Sequence, residues 1–227
     1  MKKTGLALIA LFVYISVPTP AVAQTLWTEG INYVALSQPQ PTTVPAGKVE
    51  VMEVFSYACP FCAKFQPYMH ALEHSLPRNA KMVYLPASFI PTEDWPMFQR
   101  AYFAAQSLGI ADRTHQAMFD SVWKTGQLSI EDPVTNELRR PLPTIKDAAR
   151  RYSELTGVSP QKFLQAAQSF GVDTEMREAD AQILAMEVPG TPCIIVDGKY
   201  RIQMDSLTSP DQLIPLVRFL VAKASAH

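Results

Sequence analysis

Hydrophobic positions along the 227 residues follow two rhythms. Short apolar or alternating runs occur at Ile31-Asn32-Tyr33-Val34, Lys48–Phe55, Lys81–Leu85, Cys193–Val196 and Lys199–Gln203. Runs of this length bounded by turn residues predict strands, the first a short edge strand. In the second, Val49, Val51 and Phe55 share one face, and Met52 and Val54 the other. Glu53 falls on the face of Val51 and Phe55 with apolar neighbours on both sides, so burial is expected.

Helical spacing takes over elsewhere. Cys59–Leu76 predicts a helix that Pro67 should kink and Pro77 ends. From Asp94 to about Glu187 every predicted element is a helix. Phe98, Ala101, Tyr102, Ala105 and Leu108 line one face of the first. Asp112 is a candidate cap for the next, and a looser stretch covers Glu131–Pro143. Thr144 opens a helix that ends near Gly157. Ser159-Pro160 caps another, with a stop expected at Gly171, and Asp173 or Thr174 caps the last. Asp197-Gly198 predicts a primed hairpin turn of two residues. Ser209 to Gln212 fits a capping box ahead of a terminal helix carrying Leu213, Leu216, Val217 and Leu220. The order is therefore β, β, α, β, several helices, β, β, α. It predicts an α/β fold with one mixed sheet flanked by helices and an all-helical insertion. The βαβ unit should be parallel and right-handed.

Composition narrows the function. The chain is 48% hydrophobic with a formal net charge of −1, enough for a core and no reason to expect a nucleic-acid partner. Lys2 and Lys3, the apolar run Gly5–Val17 and Ala21-Val22-Ala23 predict a signal peptide over residues 1–23. Cleavage before Gln24 would leave 227 − 23 = 204 residues, with the working domain outside the cytoplasm. An oxidising compartment favours disulfides, yet only Cys59, Cys62 and Cys193 are present, too few for a stapled scaffold.

The pair Cys59-Pro60-Phe61-Cys62 stands where a strand passes into a helix. Unpaired N–H groups and the positive dipole end of a first helical turn favour a thiolate. Cys59 is the candidate exposed nucleophile and Cys62 the shielded partner, within reach for a redox-active disulfide. Pro60 suits the first helical position, and Phe61 presents an apolar tip beside the reactive sulfur. A zinc site would need further paired ligands, and haem attachment a His where Ala63 stands. His70 and His74 are spaced i, i+4 with no third ligand evident, so no metal or other cofactor is expected.

Phe55-Ser56-Tyr57-Ala58-Cys59-Pro60-Phe61-Cys62, Thr191-Pro192 before a strand, and Val196-Asp197-Gly198-Lys199-Tyr200 together resemble the DsbA family. The resemblance covers essentially the whole chain after residue 23. It implies a thioredoxin fold in two parts, residues 24–93 and 188–227, with the helical insertion at 94–187. It implies a periplasmic protein-disulfide oxidoreductase that introduces disulfides into reduced, unfolded exported proteins and is reoxidised by a DsbB-like membrane partner. Carried over, Cys59 is the nucleophile and Cys62 its partner. Thr191-Pro192 is a cis-proline loop that binds substrate backbone beside Phe61, and Glu53 is a buried acid that helps move the proton of Cys62. The family's best-known dipeptide is Pro-His, and Phe61 replaces its charge, so Cys59 should be acidic but less so. Cys193 is expected to be a small apolar strand residue; the alternative is a third thiol near the pair. A monomer is expected. Rival readings are a reductase or isomerase of the same fold, or a non-enzymatic peptide-binding chaperone. Only 58 − 23 = 35 residues would precede Cys59 after cleavage, which disfavours an isomerase with an N-terminal dimerisation domain.

Overall fold

The computed structural model describes residues 27–226. The segment read as a signal peptide lies outside the described residues. Five strands form one sheet: β1 (Tyr33–Ala35), β2 (Val49–Phe55), β3 (Ala80–Pro86), β4 (Cys193–Val196) and β5 (Tyr200–Ile202), in the order β1-β5-β4-β2-β3. β2 runs parallel to β3, with Val49 opposite Ala80 and Glu53 opposite Tyr84. Its other edge is antiparallel to β4, with Val54 opposite Cys193. β4–β5 and β5–β1 are antiparallel, and β1 is indeed an edge strand. All seven residues of β2 are buried, as a strand paired on both edges and covered on both faces requires.

Helix α1 (Pro60–Ser75) connects β2 to β3, and α7 (Leu213–Ser225) follows β5. Both pack on one face of the sheet, where Val49, Val51, Ile194 and Val196 meet Met69, Leu72, Leu216 and Leu220. Between β3 and β4 lie α2 (Trp95–Ser107), α3 (Ala111–Trp123), α4 (Ile145–Thr156), α5 (Pro160–Ala167) and α6 (Phe170–Ala185). Their core is continuous with the other face through Met52, Val54 and Ile195. The fold is the expected one, a mixed sheet flanked by helices with a helical insertion.

Several local expectations change. Phe55 packs with the insertion rather than with Val49 and Val51. Its ring lies 5.3 Å from Tyr102 and 5.9 Å from Phe119, both in the insertion. Asp112 does not cap α3: Ile110 occupies that position and Asp112 sits in the first turn. Gly171 does not stop α5, which ends at Ala167. Ser169 then accepts from Val172 N–H and caps α6, so neither Asp173 nor Thr174 does. Ser209 is an N-cap, but of a 3-10 turn over Pro210–Gln212 that precedes α7, its hydroxyl accepting from Asp211 N–H at 3.3 Å, and Gln212 Oε1 accepts from Thr208 N–H at 2.8 Å rather than from Ser209. α1 continues past Pro67 as one helix to Ser75.

Other local readings stand. Thr144 and Asp147 form a reciprocal capping box, and Gly157 takes the left-handed conformation after α4. Asp197 and Gly198 both have positive φ, and Lys199 N–H closes on the Val196 carbonyl at 3.0 Å. The ladder pairs Val196 with Tyr200, which makes the loop one residue longer than read. Gly198 has a second requirement. A Cβ there would lie 2.1 Å from the Gln40 carbonyl oxygen.

Candidate active site

β2 ends at Phe55, and a turn brings Cys59 N–H back to the Ser56 carbonyl at 3.1 Å. Cys59 is extended (φ −83°, ψ 115°) and is the N-cap of α1. Its Sγ accepts the backbone N–H of Cys62 at 3.3 Å, the role a Ser or Asp oxygen usually fills. Pro60 occupies the first turn, where its missing donor is not needed. Cys62, three residues on, faces inward with no exposed surface. The three thiols are free.

From the far end of the chain, the Thr191–Pro192 peptide is cis, and the Thr191 carbonyl lies 3.5 Å from Cys59 Sγ. Cys193 follows and is buried in β4 against Val54. Phe61 stands out from the helix tip at 67% exposure. Glu53 lies within β2, fully buried, and neither carboxylate oxygen has a hydrogen-bond partner.

The electrostatics divide the two cysteines. A hydrogen bond from the Cys62 thiol draws the Cys59 pKa down to about 6, with Thr191 and the N–H groups of Cys62 and Phe61 adding to it and burial opposing. Burial pushes Cys62 well above the ordinary thiol range, reinforced by its hydrogen bond to Cys59 and by Glu53. Burial also raises Glu53 from 4.5 to about 8, with the nearby Cys59 charge adding to the effect. At neutral pH the site therefore holds a thiolate at Cys59, a thiol at Cys62 and a predominantly protonated acid at Glu53. Burial lifts Cys193 to about 12, so it is not a nucleophile in the folded protein.

Residues 50–214 match the family model described as DSBA-like thioredoxin domain. The thiol:disulfide interchange protein DsbA of Pseudomonas aeruginosa is 31% identical over 200 residues, spanning 88% of this chain and 87% of the relative. That of Azotobacter vinelandii is 29% identical over 192 residues, spanning 85% and 82%. The chain belongs to the DsbA family. Among solved structures, the oxidoreductase DsbA from Xylella fastidiosa has a TM-score of 0.77 at 29% identity, covering 89% of this chain and all of that one. The crystal structure of Pseudomonas aeruginosa DsbA gives 0.73 at 31% identity, covering 88% and 95%.

The fold brings Cys59, Cys62, Phe61, Thr191 and Pro192 together, with Glu53 in the strand behind them. Around these stand neighbours without a signature motif in the sequence, His115 buried and Tyr84 and Trp123 half-buried. Tyr84 lies opposite Glu53 across the ladder and donates to Glu73 Oε2 at 3.3 Å. His115 is buried beneath the turn, with Nδ1 3.1 Å from the Tyr57 hydroxyl, and burial lowers its pKa to about 3. Trp123 Nε1 donates to the Tyr57 carbonyl at 2.7 Å and ties α3 to the turn before Cys59. His115 shares a helical stripe with Met118, Phe119 and Val122, the signal from which its burial was readable. His70 and His74 are on the exposed side of α1, and among the described residues no group of three or more His, Cys, Asp or Glu converges as a metal site.

Proposed function

We propose that Cys59 and Cys62 form the redox-active pair of this protein-disulfide oxidoreductase, with Cys59 as the attacked and leaving sulfur. The chain introduces disulfide bonds into other proteins by dithiol–disulfide exchange. A substrate thiolate attacks Cys59 Sγ; the Cys59–Cys62 bond breaks and its electron pair passes to Cys62. Cys62 takes up a proton, which Glu53, protonated near neutral pH, supplies. A second substrate thiolate then attacks the substrate sulfur of the mixed disulfide. Cys59 leaves as a thiolate, and the substrate carries the new disulfide. The two electrons now held by the enzyme dithiol pass to a reoxidase, read as a DsbB-like membrane protein. Phe61, Thr191 and Pro192 contact the substrate. The protein acts in the periplasm as a monomer on reduced, unfolded exported proteins, and the inserted helical domain, residues 94–187, completes the wall of the site.

The observation that carries this reading is the asymmetry of the pair. Cys59 is held as a good leaving group at a helix start, and Cys62 as a poor one inside it. The reduced pair is thereby stabilised, which favours donation of the disulfide. The test is oxidation of a reduced, disulfide-containing enzyme by the oxidised protein, followed by regain of that enzyme's activity. Cys59→Ala should abolish it. Retention of activity in that variant would favour a chaperone, and a glutathione equilibrium that leaves the pair oxidised would favour a reductase.

A further inference from the structure

The reactive sulfur lies between two clefts of opposite charge. One, of about 490 Å³, opens towards the insertion and is walled by Phe61, Phe89, Ile90, Trp95 and Val188, with Cys59 on its lining. Glu93 is the one charged residue in that wall. It is half-buried and held in place by Trp95 Nε1, which donates to Oε2 at 3.3 Å. The other cleft, of about 820 Å³, opens on the far side and carries Lys64, Arg201 and Asp205. Phe61 and the segment Pro189–Thr191 line both and form the ridge between them. Lys64 Nζ lies 5.9 Å from the Phe61 ring centroid, so the positive charge reaches the crest of the ridge from its own side. Phe89 and Ile90 on the insertion side are 42% and 37% exposed, apolar surface beside Cys59 that nothing in the described chain covers.

A mixed disulfide fixes where the substrate chain must run. Disulfide geometry holds the two Cα atoms about 4.4–6.8 Å apart. Each further residue advances the chain by at most about 3.8 Å. The residues one and two positions from the substrate cysteine thus lie over the ground adjoining Cys59. On one side of the cysteine that ground is the cleft of Phe89, Ile90 and Glu93. Resting on the exchange reaction proposed above, we propose that this cleft is a substrate subsite in which the apolar wall takes a large aliphatic or aromatic side chain and Glu93 selects for Lys or Arg beside it. Phe61 separates this subsite from the positively rimmed cleft, so a bound segment is read with a polarity: basic and apolar on the insertion side, neutral or acidic on the other.

The test uses the full-length oxidised protein and short dithiol peptides in which the residues next to the reacting cysteine are Leu-Lys, Leu-Glu or Ala-Lys, placed on either side in separate peptides. The readout is the ratio of second-order oxidation rates between peptides, which does not depend on the amount of active protein. On one side of the cysteine, Leu over Ala should raise the rate by about tenfold, the effect of partly burying a leucine side chain. Lys over Glu on that side should raise it by about two- to fivefold, as for one half-exposed charge pair. Glu93→Gln should bring the Lys/Glu ratio on that side close to one, and Glu93→Lys should invert it. Ile90→Ser should lower the Leu/Ala ratio. A Lys/Glu ratio that both Glu93 variants leave unchanged, or no preference on either side in the unsubstituted protein, overturns the proposal. Oxidation of dithiothreitol by the same protein separates the failures. Its loss would refute the exchange reaction itself, and its retention without peptide discrimination would refute only the subsite.

Discussion

Glu53 is a carboxyl group that the fold holds at a cost, and the cost can be measured. It is fully buried, both oxygens lack hydrogen-bond partners, and its pKa rises from 4.5 to about 8. The sign follows from which state binds the proton more tightly. Below pH 4.5 the group is protonated in both folded and unfolded chains and contributes no pH dependence. Between 4.5 and 8 the unfolded chain releases the proton while the folded one keeps it, so stability falls as pH rises. Above 8 the penalty is complete and constant. At about 1.4 kcal/mol per pH unit, the 2.5 units from 4.5 to pH 7 amount to about 3 kcal/mol, and the full 3.5 units to about 5 kcal/mol. Glu53→Gln keeps the shape and removes the ionisation. In urea unfolding of the dithiol form, the variant should match the parent near pH 4, exceed it by about 3 kcal/mol near pH 7, and by about 5 kcal/mol at pH 9. The same variant should oxidise substrates more slowly if Glu53 supplies the proton to Cys62 as proposed. A difference in stability that is flat with pH, or a parent more stable than the variant at pH 9, would refute the assignment of a desolvated, unpaired acid.

The remaining predictions concern the cysteines and one turn. Thiolate absorbance of the reduced protein should rise with a midpoint near pH 6 from Cys59, and Phe61→His should lower that midpoint by adding a positive charge beside the sulfur. Because folding depresses the Cys59 pKa from 9.0 to about 6, its stabilisation of the dithiol form should be complete above pH 9 and lost as pH falls through 6; the stability of reduced relative to oxidised protein across that window checks it. Cys193 should resist alkylation until denaturant is added, since it is 2% exposed and its pKa is pushed to about 12; rapid labelling of the folded protein would contradict its burial. Gly198→Ala should lower stability by about 1–3 kcal/mol in thermal or urea unfolding, because the residue has a φ of 58° and a Cβ would strike the Gln40 carbonyl.

What could be read from the sequence was what short stretches of chain decide for themselves. The passage from Val49–Phe55 into Pro60–Ser75, the helix start at Thr144 and the turn at Asp197-Gly198 are set by residues within a few positions of one another. The errors have equally local causes. By residue type Gly171 predicts a stop, but a glycine is tolerated in a first helical turn once Ser169 supplies the cap. The Cys pair and Thr191-Pro192 were legible because each carries its own signature. The surroundings of Glu53 were not. Tyr84 meets it only through strand register, and Trp123 and His115 reach the turn before Cys59 only because α3 packs against α1. Such contacts join elements far apart in the chain, and no spacing rule within either element encodes them.

The contact between Cys59 and the Thr191 carbonyl spans 132 residues of chain, with the whole helical insertion between its two ends. A polypeptide that emerges amino-terminus first delivers the dithiol long before the loop that faces it. The strand and helix that carry the pair emerge early, whereas β4, their central partner in the sheet, follows only after α2 to α6. Through that interval the two sulfurs are ordinary thiols on an unfinished surface, exposed to whatever oxidant is present. This catalyst of disulfide formation is therefore expected to pass through a stage at which it is itself a substrate.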